Sequence, residues 1–364
     1  MTARRPILGA FLNGVPDVEN LYPILAGLRD GGRVELDLFV TSGLWRREAR
    51  VRKLLRGSGM AYRVRPNKLM KAGVYYRRLL RGVDRLLVIG DPCHDESVFG
   101  ARGRYIKDAG IPTIYMQHGV IQQHLTYSDD GSATEFHSDP VFLWEDPSCH
   151  DGILAPDVAP RIRISGFTKK PVFELRRPPE ALAQRLAGFR RRVLICHTFR
   201  GGGHDANQIE QAYGMIRAYC QRNPDVAVIV RPHRGKVRSN YSQHDRQLGQ
   251  DCPNVVFSFQ HSGPLKGMNI VDVLSLVDCI VSTPSTAVLD GLYLGRPAAL
   301  MAAENCRQLM SLPVISDRAS LEAFVEGGMT DPMRRMLDHY GDVDQNVSRV
   351  CAMIEERLLT EAAA

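Results

Sequence analysis

What most limits the fold of this 364-residue chain is an alternation of short apolar segments with longer amphipathic ones, run through twice. In the first half, residues 6–12 read as an apolar strand. Residues 18–29 read as a helix whose apolar face is Leu21, Ile24, Leu25 and Leu28. Strands are predicted at 34–40, 86–90 and 113–117, with basic helices through the forties to eighties and another helix at 97–109. A loop-rich stretch from 118 to 160 carries a short strand at 141–144, and a further strand falls at 161–165. After a basic, proline-bearing linker at 168–192 the alternation restarts. Strands are predicted at 192–196, 226–230, 255–257, 279–282 and 298–301, with helices at 207–222, 271–276 and, last, 343–359. Strands separated by helices of this length form parallel, doubly wound sheets. The chain is long enough for two of them, each with its own core.

Composition excludes several classes. Apolar residues make up 44% and charged residues 24%, as in ordinary globular proteins. No apolar run approaches the ~20 residues of a membrane span. The basic-then-apolar start resembles a signal peptide, but Asn13, Asp17 and Glu19 interrupt it, so a first buried strand is expected. Eight cysteines are scattered without a CxxC pair, which suits reduced core thiols in a cytoplasmic protein. The net charge of +7 is concentrated: residues 46–85 hold fourteen Lys or Arg against Glu48 and Asp84. Aromatics and leucines interleave them, including Trp45, Leu54, Leu55, Tyr62, Tyr76 and Leu79. The segment would suit an anionic membrane surface or an anionic acceptor, or it is a solvated arginine-rich face. No nucleic-acid fold motif accompanies it, so nucleic acid is not expected as a partner.

In open α/β sheets, ligands bind beyond the carboxyl ends of the strands. In the second half those ends carry Arg200 within a Gly-rich loop, Arg231 and His233, and the run Ser282, Thr283, Pro284, Ser285, Thr286, which leads into a helix bearing Asp290. Arginine forks, hydroxyls and backbone N–H groups at a helix start suit phosphate oxygens. The last run equally suits a plain capped turn. In the first half the ends carry Asn13, Asp91, Gln117 and His118, with Asp129, Asp130 and Glu135 in the loop beyond. A histidine there suits a general base toward a hydroxyl, or a structural histidine bonding a loop carbonyl. The histidine spacings match no metal-ligand pattern, and neither a Walker loop nor a nucleophile elbow is present. No metal or cofactor is expected.

Four elements in order carry a family likeness. They are Gln117-His118-Gly119, then Thr198-Phe199-Arg200, then Arg231-Pro232-His233, and finally Ser282–Thr286 with Asp290 and Gly295-Arg296-Pro297. With Ile164-Ser165-Gly166-Phe167, the chain resembles GT-B transferases of bacterial surface-polysaccharide synthesis. The nearest likeness is to the CDP-glycerol glycerophosphotransferases of teichoic acid assembly and related capsule transferases, across roughly residues 113–301. The resemblance implies two Rossmann-like, doubly wound domains facing across a cleft. These would be an acceptor domain (1–175), a nucleotide-donor domain (176–342), and a terminal helix (343–364) packing back on the first. It implies His118 as base, with Arg231, His233, Ser285 and Thr286 on the donor phosphates and Asp290 on the ribose or positioning the helix; Arg200, Ser282 and Thr283, at the same strand ends, are further phosphate-binding candidates. Asn13, Asp91, Gln117 and Asp130 would face the acceptor. Thr283-Pro284 and Arg234 depart from the family pattern and leave the donor open between CMP, CDP and UDP types.

The expected activity is transfer of a glycosyl or polyol-phosphate group from a nucleotide-activated donor to a glycan or lipid-linked acceptor. The expected setting is the cytoplasm, with peripheral attachment at the inner membrane face. The alternatives are a nucleotide-sugar 2-epimerase of the same fold and a non-catalytic nucleotide-binding module.

Overall fold

The computed structural model describes residues 4–66, 73–94, 100–127, 131–150, 152–199, 206–232, 242–259, 262–302 and 306–363. The chain forms two compact units, Met1–Glu174 with His339–Ala364, and Leu175–Asp338.

The first unit runs β1 (Ile7–Leu12), α1 (Val15–Gly31), β2 (Glu35–Thr41), α2 (Ser42–Arg47), α3 (Ala49–Gly57), β3 (Ala61–Arg65), α4 (Gly73–Leu79), β4 (Arg85–Val88), α5 (Gly100–Asp108), β5 (Thr113–Met116), β6 (Val141–Leu143) and β7 (Ile162–Ile164). The second runs α6 (Glu180–Ala187), β8 (Arg191–His197), α7 (Ala206–Arg222), β9 (Val226–Pro232), α8 (Gln243–Asp251), β10 (Val255–Phe257), α9 (Ile270–Leu274), β11 (Cys279–Ser282), α10 (Ala287–Tyr293), β12 (Ala298–Met301), β13 (Val314–Ile315) and α11 (Arg318–Glu326). Helix α12 (Asp331–Tyr340) leads out of it, and α13 (Val343–Ala363) belongs to the first unit.

Both sheets are wholly parallel. The first has the order β3-β2-β1-β4-β5-β6-β7 and the second β10-β9-β8-β11-β12-β13. Each is therefore doubly wound: the chain changes direction across the sheet between β1 and β4, and again between β8 and β11. At such a reversal the two flanking loops leave in opposite directions and open a crevice.

Helix α1 begins earlier than its apolar periodicity predicts. Asp17 Oδ2 accepts from the N–H groups of Asn13 (2.6 Å) and Gly14 (2.7 Å), closing the first turn around Pro16, so the helix starts at Val15. Its other face meets α13, where Val347, Val350, Cys351, Ile354 and Leu358 join Leu21, Ile24, Leu25 and Leu28 in one core. Gly27 allows this approach, because a Cβ there would stand 2.7 Å from Cys351 Sγ. The charged rim of α13 is tied down as well: Arg85, itself buried, pairs with Glu361, and Arg357 pairs with Asp139 at 2.9 Å.

The basic stretch contains a strand that sequence reading took for helix. β3 (AYRVR) is an edge strand pairing with β2 in parallel, and its alternating arginines hide the strand pattern. Of the interleaved apolar residues, Leu55, Tyr76, Leu79 and Leu80 are buried, and Trp45, Leu54 and Tyr62 are half-buried against the core. Several arginines lie on aromatic faces, Arg56 over Trp45 (5.6 Å) and Arg63 over Phe39 (5.0 Å), where Arg63 also pairs with Asp37. Arg46, Arg47 and Arg56 remain exposed, so what this face offers is charge.

Candidate functional site

In the second unit, three strands place their carboxyl ends side by side in register. Arg231 on β9 is opposite Cys196 on β8, which is opposite Ser282 on β11. The reversal between β8 and β11 lies within this row, and Thr283 spans it, its N–H donating to the Cys196 carbonyl at 3.0 Å. Thr283 Oγ1 accepts from the Thr198 N–H at 3.1 Å and meets the Thr198 hydroxyl at the same distance. Thr283 is fully buried and so is Ser282, whose hydroxyl donates to the Thr283 carbonyl at 2.7 Å. These two hydroxyls shape the turn and are not presented outward, unlike the phosphate role expected for them.

Ser285 and Thr286 follow at the half-buried rim. Ser285 Oγ accepts from the Ala287 N–H (3.3 Å) at the start of α10, while Thr286 occupies the N-cap position without a side-chain cap bond. Asp290 is buried within α10. Arg231 is half-buried and oriented by two anchors, donating to Ser258 Oγ at 2.7 Å and to the Met268 carbonyl at 3.2 Å. Burial pushes the Cys196 thiol between these groups up to about 12, with the Arg231 cation and the Asp290 carboxylate acting on it in opposite senses. Arg200, His233 and Arg234 lie outside the described residues.

Sequence reading overlooked a buried network behind this row. Tyr213 on α7 donates to Asp245 Oδ1 on α8 at 2.6 Å and sits 3.1 Å from His197 Nε2 at the end of β8. With its one proton committed to Asp245, the tyrosine oxygen accepts from Nε2, which fixes the His197 tautomer. The signal was present in the Cys-His-Thr-Phe order after an apolar strand, but its partners are sixteen and more residues away.

In the first unit, His118 follows β5 and is half-buried. Its Nδ1 has no hydrogen-bond partner among the described residues. Burial holds the imidazole down to about 4, opposed by the Ile89 backbone, so the ring is neutral at pH 7. The preceding Gln117 is fully buried and its amide is bonded within its own unit. Its Oε1 accepts from the Trp144 N–H (2.7 Å), and its Nε2 donates to the Gly119 carbonyl (3.0 Å) and to Glu145 (3.2 Å). It ties the end of β5 to the end of β6.

Asp91 is likewise committed inside its own unit. Oδ1 accepts from the N–H groups of Cys93 (2.9 Å) and His137 (2.8 Å), and Oδ2 from the Ser138 N–H (3.0 Å) and hydroxyl (2.5 Å). Such a carboxylate holds a loop in place; it has no lone pair to spare for a base's work. The loop also brings His94 onto His124 (ring centroids 4.5 Å apart) and against Phe136. Burial again lowers His94 to about 4. Asn13 is half-buried at the end of β1. Asp129 and Asp130 lie outside the described residues. Among the described residues no three His, Cys, Asp or Glu side chains converge as a metal site needs, and no helix is long and apolar enough to cross a membrane.

No protein-family model and no curated protein matches the chain in sequence. Its fold does match solved structures. Staphylococcus aureus MnaA, solved with UDP, superposes with a TM-score of 0.64 at 13% identity, covering 97% of each chain. The UDP-GlcNAc 2-epimerase of Neisseria meningitidis, bound to UDP-GlcNAc, gives 0.62 at 14% identity, over 98% of this chain and 100% of the other. The wall teichoic acid polymerase TagF gives 0.54 at 10% identity, over 99% and 89%. The two parallel α/β units of this chain are those of the GT-B fold, shared by nucleotide-sugar epimerases and glycosyltransferases.

Proposed function

We propose that this chain is a nucleotide-sugar enzyme that holds the nucleotide diphosphate at the β8–β11 reversal. The observation that carries this reading is the in-register row of Arg231, Cys196 and Ser282, with Ser285 and Thr286 continuing it at the rim. Arg231, oriented by Ser258 and Met268, would bring a fixed positive charge toward a phosphate at these strand ends. His233 and Arg200 remain candidates for the same phosphates. The UDP-bound neighbours make UDP the first nucleotide to test.

Two reactions suit such a site. The full-length fold matches favour 2-epimerisation, because UDP-GlcNAc 2-epimerases are prominent among them. One feature of the chain favours transfer: His118 is a neutral imidazole at a strand end, while the nearby Asp91 is saturated. An anionic ligand beside His118 would raise its pKa toward the range where a general base works best. Transfer would use it to deprotonate an acceptor hydroxyl; the exposed arginines of α2 and α3 would then serve an anionic acceptor or membrane surface.

The test begins with binding. UDP should raise the melting temperature, by an amount equivalent to ~2.7 kcal/mol at a hundredfold excess over Kd, and Arg231→Gln should remove most of that gain. No stabilisation by UDP would overturn the nucleotide reading. Proton NMR of the protein with UDP-GlcNAc alone then separates the reactions. Appearance of the 2-epimer without an acceptor establishes epimerisation. UDP release that requires an added acceptor establishes transfer. Binding without either supports the non-catalytic alternative.

A further inference from the structure

His124, in the loop that follows β5, has φ +68° and is one of two non-glycine residues in the left-handed region among the described residues. An L-residue is strained there, and such strain collects at sites that use it. The turn itself does not call for a side chain at 124. The His124 N–H donates to the Tyr127 carbonyl at 2.8 Å, and the N–H groups of Leu125 (3.1 Å) and Thr126 (2.8 Å) donate to the Gln122 carbonyl. The Gln122 N–H closes the loop on Thr126 Oγ1 at 2.7 Å, and Leu125, fully buried, anchors it in the core. Glycine at 124 would keep all of these bonds without the strain.

The imidazole is what glycine would remove. It is half-buried, and its ring nitrogens make no hydrogen bond to a described residue. It stacks on His94, from the loop that follows β4, with ring centroids 4.5 Å apart and planes at 21°. β4 and β5 are neighbours in the sheet, so the stack joins the loops of two adjacent carboxyl ends, where such sheets bind ligands. His94 is a fixed seat: its Nε2 donates to the Glu135 carbonyl at 3.1 Å and its ring meets Phe136 edge to face. Burial holds His94 down to about 4; Asp91 opposes this, and a proton on His124 adds to it. The pair therefore takes up one proton near neutral pH at most, and His124 is the ring that receives it. The neutral ring beneath steadies the imidazolium through its π face.

We propose that His124, seated on His94, contacts the substrate and takes a proton from one of its O–H or C–H groups. The lone pair of a ring nitrogen forms the new N–H bond, and the electrons of the broken bond stay with the substrate. The assignment rests on the nucleotide-sugar reading for the identity of that substrate.

The test uses the full chain, UDP-GlcNAc as probe, and the variants His124→Gly and His124→Asn, both of which suit a left-handed backbone. Their melting midpoints should be unchanged or up to about 4 °C higher; a fall of more than about 4 °C in both would make the ring a structural prop and overturn the proposal. Turnover of UDP-GlcNAc, to its 2-epimer or, with water as acceptor, to UDP, is followed by proton NMR. Both variants should lose about a hundredfold or more in kcat, with KM within about threefold of the wild type, and a retained kcat would overturn the assignment. Diethyl pyrocarbonate, which acylates unprotonated imidazole, gives a readout independent of turnover. At pH 7 it should modify His124, and UDP-GlcNAc should slow that modification at least about fivefold. No protection at His124, or protection confined to His118, would overturn the proposal. Stabilisation by UDP without protection of His124 leaves the nucleotide reading standing and this assignment fallen; protection without stabilisation by UDP does the reverse.

Discussion

Replacing Asn346 by alanine should be among the most damaging single changes in the first unit. This side chain, 3% exposed at the start of α13, binds two carbonyls at once, donating to Phe167 (3.0 Å) and Tyr340 (2.8 Å). Its Oδ1 accepts from Arg349 Nη2 at 2.7 Å. Alanine leaves the Phe167 carbonyl without that donor, while the Tyr340 carbonyl keeps the Phe167 N–H (2.9 Å) and Arg349 keeps the Ser165 carbonyl (2.8 Å). Three side-chain hydrogen bonds are lost at about 1 kcal/mol each, so the expected total is roughly 3 kcal/mol. For a unit of this size that lowers the melting midpoint by about 6–12 °C. Both tryptophans, Trp45 and Trp144, lie in the first unit, so their fluorescence follows its unfolding without interference from the second. A shift below about 3 °C would show that water replaces the amide and would refute the argument. Asn346→Asp separates the two arms: it keeps the acceptor for Arg349 but points oxygens at both carbonyls. It should be at least as destabilising, and near-normal stability would mean that only the Arg349 arm matters.

Two further outcomes are expected. Burial brings His94 and His118 from 6.5 to about 4, so below pH 6.5 the unfolded chain binds protons that the native state does not. Their contribution is therefore whole above about pH 6.5 and is lost as the pH falls toward 4, up to about 3 kcal/mol for each; a fluorescence midpoint flat across that range would contradict the assignment, and His94→Phe should remove part of the drop. Ile354→Ala on α13, fully buried against α1, should cost about 2–5 kcal/mol in urea titrations followed by tryptophan fluorescence, and a loss under about 1 kcal/mol would mean that α13 contributes little to the core.

Much of the fold was legible because strand burial writes itself as apolar runs. Residues 255–257, 279–282 and 298–301 are strands with the limits that the sequence indicates, and the parallel, doubly wound form follows from the helices between them. What escaped were elements whose pattern is broken by charge or brevity. β3 hides behind arginines on a sheet edge, β13 has two residues, and α8 carries a single leucine in a polar stretch. The candidate site was legible in position more than in role. The strand-end rule led to Ser282, Thr283, Gln117 and Asp91, yet each spends its polar atoms on its own unit, and a residue's type does not say which way its hydrogen bonds run.

By itself the sequence determined the fold class, the places where strands end and the basic face, because periodicity and composition are local quantities. The tertiary structure decided which strand ends stand next to one another, since the β9-β8-β11 and β2-β1-β4 orders follow from sheet winding and not from chain order. It also decided which polar groups are already satisfied. Asn20 is unremarked in the sequence, and only burial, a relation between distant segments, makes its Oδ1, without a partner among the described residues, costly to the fold.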